Sequence, residues 1–222
     1  MTLARFKDLC VDATDPAVLG GFWAAALGLA AEQLVGGTIR LTGPTPQHTI
    51  WINRVPEPRT VKQRMHLDVH TGSVADLEAL GARIIAPLDG WTVMADPEGG
   101  EFCAFTRAAV PDYRLYEVNI DAHDARAQAQ WWAGLLGAKV GHDDGEPWWS
   151  VEGIDQAPFE SIVFDAVPEP KTVKNRIHPD VLADALPPLL DYGATVIRPR
   201  DDEIEWHVAA DPEGNEFCVF LD

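Results

Sequence analysis

Short segments of alternating apolar and polar residues predict strands, and a longer segment with apolar residues at helical spacing predicts a helix. In FKDLCVD, Leu9 and Val11 share one face of the first predicted strand. Asp15 and Pro16 predict the start of a helix, because aspartate caps a helix and proline fits its first turn. Gly28 predicts the end of that helix. Three further short strands are predicted near residues 31–35, 38–42 and 48–55.

The same order of elements then occurs three more times. MHLDVH predicts a strand, Ser73 caps a helix that reaches about Leu80, and ARIIAP, WTVMAD and EFCAFT predict three strands. A third unit starts at YEVNIDAHD, where Asp124 caps the helix. A fourth starts at RIHPDVL, with a helix at about 184–192. The chain is therefore predicted to contain four βαβββ units.

Two sequence repeats show that these units arose by tandem duplication. VPEPRTVKQRMHLDVH at 55–70 returns as VPEPKTVKNRIHPDVL at 167–182, with 11 of 16 positions identical. ADPEGGEFCAF at 95–105 returns as ADPEGNEFCVF at 210–220, with nine of 11 identical. A repeat of about 110 residues is long enough to bury its own core. We therefore expect two domains, residues 1–107 and 113–222, joined by the linker RAAVPDY.

Composition excludes several classes of partner. The 222 residues include 46% hydrophobic and 23% charged residues, and the net charge of −18 would repel nucleic acid. No apolar run approaches the roughly 20 residues of a membrane helix, and MTLARFKDLC lacks the apolar core of a secretory signal, so a cytoplasmic protein is expected. The three cysteines form no CxxC pair, which argues against a disulfide framework and a structural zinc site. The acidic charge either solvates the surface or favours a cationic ligand.

The βαβββ units, the strand RMHLDVH and the closing segment ADPEGGEFC together resemble the vicinal oxygen chelate superfamily, and its glyoxalase-like branch most closely. The resemblance covers nearly the whole chain. It implies an α+β fold in which four βαβββ units form two tandem glyoxalase-like domains. In that superfamily each pair of units forms an open sheet around a cavity, so each domain is expected to have its own site. The superfamily contains metal-dependent isomerases, epimerases, lyases and ring-cleaving dioxygenases, and also metal-free proteins that sequester drugs such as bleomycin.

The resemblance implies metal ligands on the first and last strand of each unit. Strand alternation places His66 and His178 toward the cavity, where imidazole and carboxylate groups suit a divalent ion such as nickel, manganese, zinc or iron. We expect His178 to act with Glu216 and with Glu117 or Asp165. The first domain offers the poorer set of Asp8, Asn53, His66 and Glu101. In either domain the closing glutamate, Glu101 or Glu216, would move a proton.

An alternative to a metal site remains open. Metal-dependent members place a glutamate where this chain has Cys103 and Cys218, while Glu101 and Glu216 lie two residues earlier, about 7 Å along the strand. The same polar residues could instead form an ionic network that braces each domain, because buried charges need partners. That network would contain Arg64, His66, Asp68 and Glu101, and in the second copy Arg176, His178, Asp180 and Glu216.

Tryptophan residues predict a ligand pocket. Trp23, Trp131 and Trp132 fall on helix faces and are expected in the core. Others lie in or beside cavity strands, where an aromatic wall could stack on a planar or cationic ligand. These pocket residues are Trp51, Trp91, Trp148, Trp149 and Trp206, together with Cys103 and Cys218. The segment DDGEPWWS at 143–150 occurs only in the second domain and is the best candidate for a ligand-specific feature.

Two functional hypotheses follow. The first is a metal-dependent enzyme that isomerises, epimerises or cleaves a small oxygenated molecule. The second is a metal-free protein that binds an aromatic or cationic compound in an acidic, tryptophan-lined cavity. A ring-cleaving dioxygenase ranks lower, because its iron site needs two histidines and each domain places one at a ligand position. The partner is expected to be a small molecule, and the chain is expected to act as a monomer through pairing of its own domains, or as a homodimer.

Overall fold

The computed structural model describes residues 2–222 and contains the four predicted βαβββ units. Unit 1 comprises β1 (Arg5–Ala13), α1 (Pro16–Leu27), β2 (Ala30–Gln33), β3 (Ile39–Thr42) and β4 (Ile50–Arg54). Unit 2 comprises β5 (Met65–Thr71), α2 (Val74–Ala79), β6 (Arg83–Pro87), β7 (Thr92–Ala95) and β8 (Glu101–Thr106). Unit 3 comprises β9 (Leu115–Ala122), α3 (Ala125–Leu136), β10 (Lys139–Gly141), β11 (Trp148–Glu152) and β12 (Ser161–Ala166). Unit 4 comprises β13 (Ile177–Ala183), α4 (Pro187–Asp191), β14 (Thr195–Arg198), β15 (His207–Ala210) and β16 (Glu216–Leu221).

The two long helices begin and end as their sequences predict. The Asp15 side chain accepts from two backbone N–H groups at the start of α1, and Asp124 caps α3 in the same way with one. Gly28 ends α1 with a φ of 75°, and Gly137 ends α3 with a φ of 67°, a left-handed conformation that favours glycine. Among residues 2–222, no helix is both long and apolar enough to cross a membrane.

The strands form two eight-stranded sheets, and each sheet combines one unit from each half of the chain. Sheet A has the order β14-β15-β16-β13-β1-β4-β3-β2 and therefore joins units 4 and 1. Sheet B has the order β10-β11-β12-β9-β5-β8-β7-β6 and joins units 3 and 2. The halves meet at the centre of each sheet, in the antiparallel pairs β1/β13 and β5/β9. The expected pairing of the two halves within one chain is therefore observed.

The expectation that each half forms its own sheet and site is wrong, because each sheet takes one unit from each half. The linker is long enough to allow this arrangement. β8 ends at Thr106 and β9 begins at Leu115 on the other side of β5, two strands away. That distance is about 10 Å, which eight linker residues can easily span. Because the linker delivers unit 3 to the free edge of unit 2, units 1 and 4 are left to pair with each other.

The helices join the two sheets within each half. In the first half, Phe22 and Trp23 of α1 pack against Phe102 of sheet B, with ring centroids 5.7 and 5.3 Å apart. In the second half, Trp132 of α3 packs against Phe217 of sheet A at 5.4 Å. These aromatic side chains are almost completely buried, as expected for Trp23 and Trp132. Strands thus connect the halves, while helices connect the units inside each half.

The repeated DPEG turn fixes the start of each long helix. Glu98 accepts hydrogen bonds from the backbone N–H groups of Thr14 at 3.0 Å and Asp15 at 2.6 Å, immediately before α1. Glu213 binds the corresponding groups before α3, both at 2.7 Å. The aspartate of each turn, such as Asp96, accepts from two backbone N–H groups of its own turn and holds it in shape. The carboxylate at a helix N-terminus also interacts favourably with the helix dipole.

We predict that Glu98→Ala lowers the free energy of unfolding by about 2 kcal/mol, because it removes a charged acceptor from two helix-terminal N–H groups. Equilibrium urea unfolding measures the change. Glu213→Ala should have a similar effect, whereas Glu205→Ala, at an exposed position, should have almost none. An unfolding free energy for Glu98→Ala within about 0.5 kcal/mol of the unaltered chain would contradict the capping role.

Candidate functional site

The central strands of each sheet present polar side chains on the face opposite the helices. On β1, Leu9 and Val11 are core residues, so Asp8 and Cys10 lie on the other face. The antiparallel register places Cys10 opposite His178 and Asp8 opposite Asp180. We call the following residues the sheet A site: Asp8, Cys10, Trp51, His178, Asp180 and Cys218. Their counterparts in sheet B form the sheet B site: Glu117, Asn119, Asp165, His66, Asp68 and Cys103.

The sheet A site brings together imidazole, carboxylate and thiol groups. His178 Nε2 lies 3.6 Å from Asp180 Oδ1 and 3.4 Å from Cys218 Sγ. Cys10 Sγ lies 3.5 Å from Asp180 Oδ2. One ligand atom from each of Cys10, His178 and Asp180 can be chosen so that all three lie within 4.8 Å of one another. The four side chains come from three neighbouring strands, β1, β13 and β16, and all are buried.

Two carboxyl groups in this site lack partners on one oxygen each. Asp8 Oδ2 accepts from Lys7 Nζ at 2.6 Å and from Trp51 Nε1 at 3.1 Å. Asp8 Oδ1 and Asp180 Oδ1 are buried and have no hydrogen-bond partner among residues 2–222. Burial, together with the charge of Asp8, raises the pKa of Asp180 well above its usual range. The site therefore contains more buried carboxyl oxygens than the neighbouring donors can satisfy.

The donor atoms of the sheet A site fit a divalent metal ion. Burial, assisted by the positive charge of Lys174, lowers the pKa of His178 to about 4, so its imidazole is neutral at pH 7, as a metal ligand must be. Burial also raises the pKa of Cys10 and Cys218, so both thiols keep their protons unless a cation is bound. A set of imidazole, thiol and carboxylate suits zinc better than manganese or magnesium.

The sheet B site has the same plan but different internal bonding. His66 Nε2 lies 3.2 Å from Asp68 Oδ1 and 3.5 Å from Cys103 Sγ. Burial alone would lower the pKa of His66, but the hydrogen bond and charge of Asp68 raise it, which favours a His66–Asp68 ion pair. Asn119, at the position equivalent to Cys10, donates to Asp165 Oδ2 at 2.8 Å. Asp68 Oδ1 and Asn119 Oδ1 also lack hydrogen-bond partners among residues 2–222. The His66–Asp68 ion pair nevertheless supplies its own cation, so a metal fits less well here.

The equivalent of Asp8 in sheet B is Glu117, which lies opposite Asp68 in the β5/β9 pair. Its Oε1 accepts from Ser161 Oγ at 2.7 Å. Burial, together with the negative charge of Asp68, raises the pKa of Glu117 to about 7. A carboxyl group with this pKa can exchange a proton near neutral pH.

The sheet arrangement separates several residues that we predicted to lie in one site. His178 lies in sheet A, whereas Glu117 and Asp165 lie in sheet B, so their predicted combination is wrong. For the same reason Asp8 does not join His66. The strand order accounts for this separation, because it puts units 4 and 1 in one sheet and units 3 and 2 in the other. Asp68 and Asp180 replace the missing carboxylates, because each lies two residues after the histidine on the same face of its strand.

The two glutamates predicted to be catalytic have different surroundings. Glu216 accepts from Lys171 Nζ at 2.7 Å and from the backbone N–H of Asn175 at 3.1 Å. These contacts indicate a structural role, in which Glu216 holds the segment before β13. Glu101 is half-buried at the start of β8, opposite Ala95 of β7. Its catalytic role stays a prediction.

The alternative ionic network does not form as the sequence suggested. Arg64 donates to the backbone carbonyls of Glu169 and Asp121, not to Asp68 or Glu101. Arg176 likewise donates to the Glu57 carbonyl and pairs with Glu98. Both arginines therefore brace loops, and the histidine sites of the two sheets are left without a guanidinium.

The polar face of each sheet, opposite the helices, is its cleft face. Four of the five predicted pocket tryptophans lie on or beside these faces. Trp51 donates to Asp8, and Trp148 lies opposite Asp165 on the cleft face of sheet B. Trp91 stacks on Phe105 with ring centroids 6.1 Å apart, and Trp206 stacks on Phe220 at 5.4 Å. Trp149 differs, because it lies on the helix side of β11. There it stacks on His142 at 4.0 Å, with Arg126 of α3 over its ring.

Sequence reasoning did not predict three residues that distinguish the two clefts. Lys7 lies 4.1 Å above the Phe220 ring in sheet A, next to a bulge in β1 that breaks the strand alternation. Tyr116 takes the corresponding position in sheet B and contacts both Phe105 and His70. Arg107 lies over the rings of Phe105 and Tyr116. The exchange of lysine for tyrosine between the two copies was the available sequence signal.

Comparison with solved structures supports the fold. Glyoxalase I from Zea mays superposes with a TM-score of 0.69 at 12% identity, over 97% of this chain and 92% of that chain. A putative dioxygenase from Bacillus subtilis gives 0.62 at 15% identity, over 100% and 86%. The cppA protein from Streptococcus pneumoniae gives 0.54 at 10% identity, over the full length of both chains. At these identities the likeness shows a shared fold and no more.

Sequence comparison gives the family. No curated protein matches the chain significantly. The profile described as "Glyoxalase-like domain" matches twice, at residues 8–105 and 117–220, and so covers most of the sequence. The repeated βαβββ units, the two mixed sheets and these matches lead to one conclusion: the chain belongs to the glyoxalase-like domain family of the vicinal oxygen chelate superfamily.

Proposed function

We propose that the chain is a metal-dependent enzyme that binds one divalent cation, zinc by preference, in the sheet A site. The observation that supports this most strongly is the pair of buried, unpartnered oxygens, Asp8 Oδ1 and Asp180 Oδ1, beside a neutral His178. Substrates would be small oxygenated molecules, and the reaction an isomerisation, epimerisation or lyase step.

The buried Asp8 and Asp180 lie opposite each other with little positive charge beside them. Asp8 and Asp180 are 4% and 2% exposed, and Lys7 is bonded to only one of the four carboxyl oxygens. Burying carboxylates without partners is costly, and the cost rises when two of them face each other. Without a cation, the raised pKa of Asp180 lets this carboxyl keep its proton and so limits the cost. A divalent cation held by Cys10, His178 and Asp180 would replace that proton and compensate both carboxylates.

The protein residues have separate roles in this proposal. A bound cation would polarise a carbonyl oxygen of the substrate and so acidify the neighbouring C–H bond. Asp8 Oδ1, which neighbours Asp180, would take that proton, while Lys7 and Trp51 hold Asp8 Oδ2. Trp206 and Phe220 form one wall of the cleft and would exclude water from the reacting atoms.

We predict that protein purified without an affinity tag or chelator contains about one zinc ion per chain, measured by elemental mass spectrometry. His178→Ala and Asp180→Asn should each lose the metal, because each removes a ligand. His66→Ala is the matched control from the sheet B site and should keep it. Absence of metal, with no uptake of zinc, nickel, manganese or iron(II) on titration, would contradict the proposal, as would loss confined to His66→Ala. Circular dichroism would verify that each variant is folded.

A second candidate function is supported by the aromatic wall of sheet B. Trp91, Phe105, Tyr116 and His70 form a continuous series of ring contacts, and Trp91 is 39% exposed. Glu117 and Asp68 place negative charge beside this wall. Aromatic faces and carboxylates together bind planar cations well. The sheet B site would then sequester such a compound without a metal.

The raised pKa of Glu117 gives this candidate a pH test. Glu117 loses its proton as the pH rises through about 7, so its carboxylate attracts a cation more strongly above that pH. We predict that ethidium, a planar cation whose charge is constant, binds several-fold more tightly at pH 8 than at pH 6, as measured by fluorescence titration. Glu117→Gln should abolish the difference, while Glu205→Gln, at an exposed position, should preserve it. A pH dependence that persists in Glu117→Gln would rule out binding beside this residue.

A further inference from the structure

A cavity of about 670 Å³ has neither histidine in its lining and is lined by one of the two repeated sequences of the chain. We define connector 1 as residues 55–64 and connector 2 as residues 167–176, the segments that precede β5 and β13. Both connectors line the cavity, together with Asp12 and Asp121 at the ends of β1 and β9. None of the residues of the sheet A and sheet B sites contributes to the lining.

Reciprocal hydrogen bonds hold the two connectors together around this cavity. Arg64 of connector 1 donates to the Glu169 carbonyl of connector 2 at 2.7 Å. Arg176 of connector 2 donates to the Glu57 carbonyl of connector 1 at 2.8 Å. The two equivalent connectors thus enclose the cavity between them. The cavity forms only because the chain contains both copies of the connector.

The lysines of the connectors already have partners. Lys62 pairs with Asp121 at 2.8 Å, and Lys174 pairs with Asp12. Both lysine side chains are about half exposed, while both aspartates are buried. These pairs therefore neutralise the two carboxylates at the strand ends. The positive charge available to a ligand then comes from the arginines of the lining.

The symmetry is broken at Arg59. Its equivalent in connector 2, Lys171, forms an ion pair with Glu216. Arg59 forms no ion pair within residues 2–222, and its only hydrogen bond is from Nη1 to the Val61 carbonyl at 3.0 Å. Its Nε is buried without an acceptor, and Gln63 Oε1, also in the lining, is buried without a donor. Arg64 also lacks a carboxylate, but it donates to two backbone carbonyls, so Arg59 has the most unused donors among the arginines of the lining. The Gln63 amide oxygen has no donor.

The charge of the lining also differs from that of the rest of the protein. Five of the 17 lysines and arginines line the cavity, against four of the 35 acidic residues. The lining thus has a small positive balance in a chain whose net charge is −18. Apolar groups lie between the charges, from Pro58, Val61, Pro170 and Val173. A cavity of this size could enclose a ligand of drug-like dimensions.

We propose that this cavity binds one small organic anion per chain, a carboxylate or a phosphate monoester with an apolar body, through the guanidinium of Arg59. Arginine presents its N–H groups as a fork that matches both oxyanions. Gln63 Oε1 would accept from a hydroxyl or amide of the same ligand. A second anion is not expected at the equivalent position in connector 2, because Lys171 already forms an ion pair with Glu216. This site is independent of the proposed metal in sheet A.

Isothermal titration calorimetry on the full chain tests the proposal with phenyl phosphate and benzoate, and with neutral benzamide for comparison. We expect one anion per chain with a sub-millimolar Kd and at least tenfold weaker binding of benzamide, since a charge-assisted bidentate contact contributes about that factor or more. Tighter binding of phenyl phosphate would identify a phosphate ester as the natural class, and tighter binding of benzoate a carboxylate.

Variants locate the site and separate it from the sheet clefts. Arg59→Gln should weaken anion binding at least tenfold, and Arg59→Lys should give an intermediate value, because it keeps the charge but loses the fork. Arg83→Gln removes one exposed positive charge elsewhere and should leave binding unchanged. His178→Ala should also leave binding unchanged, whether or not the sheet A site binds metal. The proposal is overturned if neither anion binds, if Arg59→Gln binds as well as Arg83→Gln, or if binding is lost in His178→Ala.

Discussion

The antiparallel pairing of β1 with β13 is the constraint on which the sheet A site depends. It joins the first unit of the chain to the last and sets Asp8 opposite Asp180 and Cys10 opposite His178. A shift of one residue in this register would move these side chains to the helix face. The long helices oppose such a shift, because α1 and α3 pack on both sheets and are capped by the DPEG turns of other units. Backbone pairing and helix capping thus stabilise the same arrangement.

Duplication has produced two sites with one backbone plan and different chemistry. Cys10 in sheet A corresponds to Asn119 in sheet B, and Lys7 corresponds to Tyr116. The histidines differ as well: burial and the charge of Lys174 lower the pKa of His178 to about 4, while the hydrogen bond and charge of Asp68 raise the pKa of His66. A neutral imidazole beside unpartnered carboxyl oxygens favours a cation, whereas an imidazole paired with Asp68 does not need one.

Most of the fold could be predicted from the sequence, because its signals are local. Asp15 and Asp124 as helix caps, and Gly28 and Gly137 as helix ends, need only neighbouring residues, and the structure confirms them. The exchange of units between sheets could not be predicted in this way, since it depends on where an eight-residue linker delivers β9. The site was predicted in part: alternation placed His178 on the cleft face, but its partners depended on the sheet exchange. The position of Lys7 depends on a bulge in β1, and the role of Glu216 depends on Lys171, which is 45 residues away in the sequence. No local sequence pattern indicates either.

The most direct test of this account is a crystal structure of the protein grown with zinc, with anomalous diffraction recorded on both sides of the zinc absorption edge. The account predicts one anomalous peak per chain in sheet A, within bonding distance of His178 and Asp180 from unit 4 and Cys10 from unit 1. A peak at His66, Asp68 and Cys103 instead, or no peak in either cleft, would contradict it.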